Sequence, residues 1–135
     1  MKTIVVSLLL LCGPVPAHHS LSVDFDRTRT VEMKATVVSV RWFNPHAEFE
    51  ADVEGARWVF TLAAPNTLMG DQGWTRSTLK EGDVVTVTAY LEKKGARRAY
   101  PQSVTLPNGT RMTNVDGWEM QGNKGKYTVN GGANK

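Results

Sequence analysis

The stretch VVTVTAYL at residues 84–91 decides the fold class of this chain. Valine and threonine dominate it, and β-branched and aromatic side chains favour strands over helices. The tripeptide Glu81-Gly82-Asp83 directly before it is typical of a turn. A run of this composition that begins at a turn predicts a β-strand, and similar runs occur on both sides of it.

Three further strands are predicted upstream of this stretch. Residues 31–42 form a β-branched run whose alternation slips at Val37-Val38, which predicts a long strand with a bulge. Residues 47–53 alternate apolar side chains with glutamate and aspartate, a pattern typical of a half-buried strand with a charged outer face. Glu54-Gly55 then predicts a turn into a third strand at residues 57–62.

The segment between the third and fourth strands, residues 63–80, breaks the β pattern. Pro65 precedes a short helical segment at residues 66–69, which Gly70 and Gly73 would end. One short helix is therefore predicted in an otherwise β chain.

Downstream of residues 84–91 the β pattern resumes. The chain continues with a basic hairpin tip at 93–98, a fifth strand at 99–106, the turn Asn108-Gly109, and a last short strand around Arg111 and Met112. This order predicts an all-β fold with one short helix, a small five-stranded Greek-key barrel of the OB type. An open sandwich is the alternative, because periodicity gives the strands but not their closure. Trp74 is expected to plug one end of the barrel beside the helix.

The N-terminus carries the three-part pattern of a secretory signal peptide in residues 1–17. Lys2 supplies the basic start, residues 4–11 the apolar run and residues 13–17 the breaker stretch, with cleavage predicted after Ala17. The apolar run is far shorter than the roughly 20 residues that span a bilayer, so no transmembrane anchor is expected. These features predict a periplasmic or secreted protein.

Cleavage at this point would leave a chain of single-domain length without cysteine, because Cys12 is the only one. Lipidation of Cys12 is disfavoured, since Leu11 stands where a small residue is usual. The predicted organisation is an N-terminal arm at 18–30, an OB-like domain at 31–115 and a flexible Gly/Asn-rich tail at 116–135. The mild formal charge of +3 for the whole chain argues against nucleic acid as a partner.

The three histidines fall at two places, His18 and His19 at the predicted new N-terminus and His46 between the first two strands. An N-terminal histidine offers its α-amine and Nδ1 to one Cu(II) ion, and another imidazole can complete a site of three nitrogens. We therefore interpret His18 and His46 as copper ligands, with His19 auxiliary and zinc the second choice of metal. Two alternatives stay open. The histidines are ordinary arm and turn residues, or cleavage before Ala17 creates a different copper motif with a histidine in third place.

A competing interpretation rests on the basic hairpin tip. Lys93, Lys94, Arg97 and Arg98 occupy the loop between the last two main strands, a position that OB-folds use to bind oligonucleotides or oligosaccharides. With Trp42 as a stacking platform, the tip would hold an anionic polymer or an envelope protein. The alternative for the same residues is a solvated tip that protects a sheet edge.

No catalytic motif accompanies these candidates. The sequence contains no nucleophile elbow, no phosphate loop and no helix motif with two histidines, and its carboxylates on the second strand are explained by a charged outer face. We therefore predict a binding module and not an enzyme.

Several short motifs together resemble a known family. They are listed here in chain order: His18-His19-Ser20, Trp42-Phe43-Asn44-Pro45-His46, Pro65-Asn66-Thr67-Leu68 with Gly73-Trp74, Leu79-Lys80-Glu81-Gly82-Asp83, and Ser103-Val104-Thr105-Leu106-Pro107-Asn108-Gly109. The chain resembles small exported bacterial proteins of no assigned function whose mature chain begins with His-His-Ser. The resemblance covers roughly residues 17–112 and implies an exported OB-like domain, but it implies no activity.

Overall fold

A computed structural model of the chain describes residues 24–115. The elements in that range are β1 (Val31–Arg41), β2 (Glu48–Val53), β3 (Ala56–Thr61), α1 (Pro65–Asp71), β4 (Val84–Leu91), β5 (Arg98–Thr105) and β6 (Arg111–Thr113). The predicted strands and the short helix are confirmed, and residues 84–91 form a strand over their whole length. The predicted signal peptide (1–17), His18, His19 and the predicted tail (116–135) lie outside the described residues.

The strands form one sheet in the order β3-β2-β1-β4-β5-β6, and an additional parallel pairing between β3 and β5 closes five of them into a barrel. The closing pairs are Val59 with Arg98 and Phe60 with Ala99. β1 serves both halves of the barrel, because its first part pairs with β4 and its second part with β2. This connectivity is that of an OB-like barrel, so the open sandwich is excluded.

The predicted bulge in β1 is confirmed. The pairing register between β1 and β2 shifts between Val37 and Ser39, which leaves Val38 as the extra residue. A bulge bends a strand and increases its twist. The bend falls close to the point where β1 passes from its partner β4 to its partner β2, at Thr36.

The core lies inside the barrel and follows the predicted alternation. Phe49 and Ala51 of β2 are buried, and the ring of Phe49 stacks on that of Phe60 at a centroid distance of 4.7 Å. Leu68 brings α1 into the same core, and the backbone N–H of Trp74 donates to the Leu68 carbonyl. Trp74 is 1% exposed, so the prediction that it packs into the barrel beside the helix is confirmed. In the described range no helix has the length and hydropathy to cross a membrane.

Candidate functional site

The loop between β1 and β2, residues 42–47, carries the one histidine that the structure describes. Its peptide bond between Asn44 and Pro45 is cis. Its C-terminal end is fixed to the segment after β3, because Ala47 donates its N–H to Ala63 and accepts from the N–H of Leu62 at 2.8 Å. The loop is therefore held as part of the barrel wall, and we call it the β1–β2 loop.

His46 is partly exposed on this loop, but one of its ring nitrogens is not. The Nδ1 atom of His46 is buried and has no hydrogen-bond partner, and the same is true of Nε1 of Trp42. Buried polar atoms in folded proteins nearly always have partners, so two such atoms on one short loop are unusual. With Nδ1 buried, Nε2 is the imidazole nitrogen of His46 that a ligand at the surface would reach.

Trp42 is not an open stacking platform. Its ring packs on the core and meets Trp74 edge-on, with centroids 6.4 Å apart and an interplanar angle of 69°. The exposed ring of the loop is that of Phe43, and the guanidinium of Arg41 lies 5.9 Å from its centroid. The aromatic residue that sequence reasoning assigned to ligand stacking is thus used in packing.

The described part of the N-terminal arm is attached to the end of β4. Phe25 is buried against the ring of Tyr100 and bridges to Glu92, while the N–H of Lys93 donates to the Asp24 carbonyl at 2.8 Å. Hydrogen bonds from the hydroxyl and the N–H of Thr28 lower the pKa of the Asp26 carboxyl. Residues 24–26 are therefore part of the folded domain, although the whole of 18–30 was predicted to be an arm.

The basic hairpin tip divides into two kinds of residue. Residues 93–98 are all exposed, as predicted for a loop tip. Arg98 nevertheless contacts the rest of the barrel, because its Nη2 lies 3.3 Å from Oγ1 of Thr61 and 3.8 Å from a carboxylate oxygen of Glu48. Lys94 and Arg97 remain as exposed cations at the tip, close to the seam between β3 and β5.

Charged side chains on the outer face of β1, β2 and β3 form ion pairs with one another. Arg41 contacts both Glu48 and Glu50, at 3.3 and 3.1 Å. Arg57 contacts Asp52 at 2.7 Å and Glu50 at 3.4 Å, and the hydrogen bond to Asp52 raises the pKa of the Arg57 guanidinium. This face matches the charged outer face predicted for β2, and three carboxylates against two guanidinium groups in these pairs leave no excess positive charge to attract an anionic polymer.

Sequence reasoning did not identify the segment that supports the β1–β2 loop from the inside. Residues 113–115, here called the bracing segment, are the last residue of β6 and the two residues after it. Side chains of Gln72 and Trp74 bond to the backbone of this segment, and the side chain of Asn114 bonds to Ala63. Asn114 is 1% exposed, and Gln72 exchanges two hydrogen bonds of 2.7 Å with the backbone of Val115. No periodic pattern marks a single buried asparagine after a short strand, so nothing in the sequence indicated it.

The fold and this loop define a small OB-like β-barrel with a half-exposed histidine in the loop just before β2. The chain belongs to the Family of unknown function (DUF6152), whose model matches residues 7–101. The resemblance to an uncharacterised family is thereby confirmed, while export and the role of the motifs stay predictions. Searches of curated proteins and of solved structures gave no significant match.

Proposed function

We propose that this chain is an exported, non-enzymatic binding protein of the periplasm or the extracellular space that holds one Cu(II) ion. The ligands are the α-amine of His18, which cleavage after Ala17 frees, Nδ1 of the same residue, and one imidazole nitrogen of His46. His19 is an auxiliary ligand. Amine and imidazole nitrogens suit copper, which stands at the top of the divalent affinity order, and zinc is the second choice.

One observation carries this proposal. The imidazole of His46 reaches the surface and has no hydrogen-bond or ion-pair partner among residues 24–115, although it stands on a loop fixed at its end by backbone hydrogen bonds. A histidine that serves only a turn would be expected to bond to nearby backbone. Residues 24–115 contain no group of three potential metal-binding side chains, so a site at His46 needs ligands from outside that range.

The length of the arm is comparable with the distance that it would have to cross. Asp24 bonds to Lys93 beside β4, and β5, β3 and β2 follow in order around the barrel to Glu48. Four strand spacings of about 4.8 Å amount to about 19 Å around the wall, to which the offset along the strands from Val59 to Thr61 is added. Six extended residues between Asp24 and His18 reach about 20 Å, a length of the same order.

His46→Ala is expected to weaken Cu(II) binding by about a hundredfold, or ~2.7 kcal/mol, because one of three nitrogen ligands is lost. The measurement is a Cu(II) titration of the exported protein, after its intact mass has confirmed the terminus, followed by electron paramagnetic resonance. Phe43→Ala is the matched control on the same loop and should leave affinity and spectrum unchanged. Equal copper affinity with and without His46 would contradict the proposal.

A second experiment tests the amine. Acetylation of the α-amine of His18 removes the chelate that this amine forms with Nδ1, while every side chain stays in place and no new terminal amine is created. The folded protein should then lose its tight site, as measured by the same titration. If the acetylated protein binds Cu(II) as tightly as the native terminus, the amine is not a ligand.

The competing proposal is an envelope interaction module that binds an anionic polymer or a protein partner through the tip at 93–98. The exposed cations Lys94 and Arg97 favour it, whereas the contacts of Arg98 with the barrel and the packing of Trp42 remove two of the residues first assigned to it.

Under this proposal, the affinity of the protein for dextran sulfate falls steeply as the salt concentration rises. It also falls severalfold in Lys94→Gln/Arg97→Gln but not in Lys34→Gln/Arg76→Gln, where exposed cations elsewhere are removed. Equal binding by the two double variants would exclude the tip as the site.

A further inference from the structure

We infer that Asn114 is a positioning residue for the β1–β2 loop, which it holds through Ala63 and thereby fixes the place of His46. As far as copper is concerned, the inference rests on the proposed function. The coupling between Asn114 and the loop follows from hydrogen bonds alone and is tested separately.

A continuous chain of hydrogen bonds connects Asn114 to the end of the β1–β2 loop. Oδ1 of Asn114 accepts from the N–H of Ala63 at 2.7 Å, and its Nδ2 donates to the carbonyl of Pro101 at 2.6 Å. The carbonyl of Ala63 in turn accepts from the N–H of Ala47 at 3.1 Å. Ala47 directly follows His46, so one buried amide group ties β5 to the residue beside the proposed ligand.

The other end of the loop is held from the same bracing segment. The carbonyl of Thr113 accepts from Nε1 of Trp74 at 2.7 Å, and the Trp74 ring lies edge-on against Trp42, the first residue of the loop. Residues 113–115 therefore support the β1–β2 loop at its beginning through aromatic packing and at its end through Asn114. A loop held at both ends from one segment moves with that segment.

This arrangement matters for a metal site because ligand side chains bind well only when their backbone is already in place. Groups outside the ligand set that orient ligands typically change metal affinity by 10–100-fold when they are removed. Asn114 acts through Ala63 and Ala47 and not on the imidazole itself, so the lower end of that range applies. We expect Asn114→Ala to weaken Cu(II) binding by about tenfold and to alter the resonance spectrum of the bound ion.

Amide hydrogen exchange of the full-length protein without metal tests the coupling. In Asn114→Ala, exchange at the amides of Ala47 and Leu62 should accelerate at least about tenfold more than exchange at the amides of β4. Val87→Ala is the matched control, because Val87 is fully buried in the core and its truncation lowers stability without touching the hydrogen-bond chain. If Asn114→Ala raises exchange evenly over the barrel, as Val87→Ala should, the inference is overturned.

The copper titration of the same variants separates the inference from the proposed function. If exchange at Ala47 accelerates selectively in Asn114→Ala and copper binding weakens, both the inference and the proposed function are supported. If the unaltered protein binds no copper, the proposed function is overturned, and the exchange result alone decides whether Asn114 is coupled to the loop. Selective acceleration of exchange at Ala47 with unchanged copper affinity overturns the positioning role.

Gln72→Ala is the milder variant if Asn114→Ala fails to fold, because it breaks only the two bonds to Val115. The expected pattern of amide exchange and copper affinity is the same.

Discussion

Trp74→Ala is expected to lower the free energy of unfolding by about 4 kcal/mol, the largest loss predicted for any single substitution considered for this chain. The side chain is 1% exposed and belongs to the main core, so its removal leaves a large cavity between the α1 region and the barrel. The substitution also leaves the Thr113 carbonyl without the indole N–H that it accepts at 2.7 Å. Equilibrium unfolding in urea measures the loss.

The matched control for this prediction is another tryptophan. Trp58 is only partly buried and packs from β3 against Phe60, at a centroid distance of 6.5 Å. Trp58→Ala is therefore expected to cost about 1–2 kcal/mol, as partial burial of a large ring implies. A loss at Trp58 equal to or larger than that at Trp74 would mean that Trp74 is not the residue that closes this part of the core.

Asn114→Ala is expected to lower the free energy of unfolding by about 3 kcal/mol. The substitution strands two backbone groups, the Ala63 N–H and the Pro101 carbonyl, in a part of the chain where Asn114 itself is 1% exposed. Each buried polar group left without a partner costs about 1–3 kcal/mol. The prediction is notable because the residue lies beyond the part of the chain that the family model matches, residues 7–101.

An asparagine in an exposed turn provides the comparison for Asn114. Oδ1 of Asn108 accepts from the N–H of Thr110 at 2.9 Å, but water reaches both residues. Asn108→Ala should therefore change stability by no more than about 0.5 kcal/mol, because the N–H regains a partner from solvent. Equal losses in the two variants, measured by the same urea titration, would show that burial of the Asn114 amide contributes nothing.

Most of the secondary structure could be predicted because it is encoded locally. The alternation in residues 47–53 places Phe49 and Ala51 inside and their charged neighbours outside in the structure, as the pattern predicted. The slip at Val37-Val38 predicted the bulge for the same reason, since one inserted residue moves every later side chain to the opposite face.

The candidate site was predicted only in part. His46 does stand on a loop between the first two strands and has no partner in the described range, and Lys94 and Arg97 are exposed as expected. Trp42 packs on Trp74, which is 32 positions away in the chain. This contact could not be inferred from the residues next to either tryptophan in the sequence. The arm contributed Phe25 to the folded domain because a buried aromatic partner, Tyr100, lies at the end of the barrel.

The sequence by itself determined the number and place of the strands, the single helix and the buried faces, because β-branched composition and a period of two act over a few residues. Only the tertiary structure decided that β3 meets β5 to close the barrel, and that Asn114 braces the loop of His46. These features depend on pairings between groups far apart in the chain, such as Ala63 and Asn114, which are 51 positions apart. Such pairs form only when the whole barrel is folded, so no local pattern in the sequence records them.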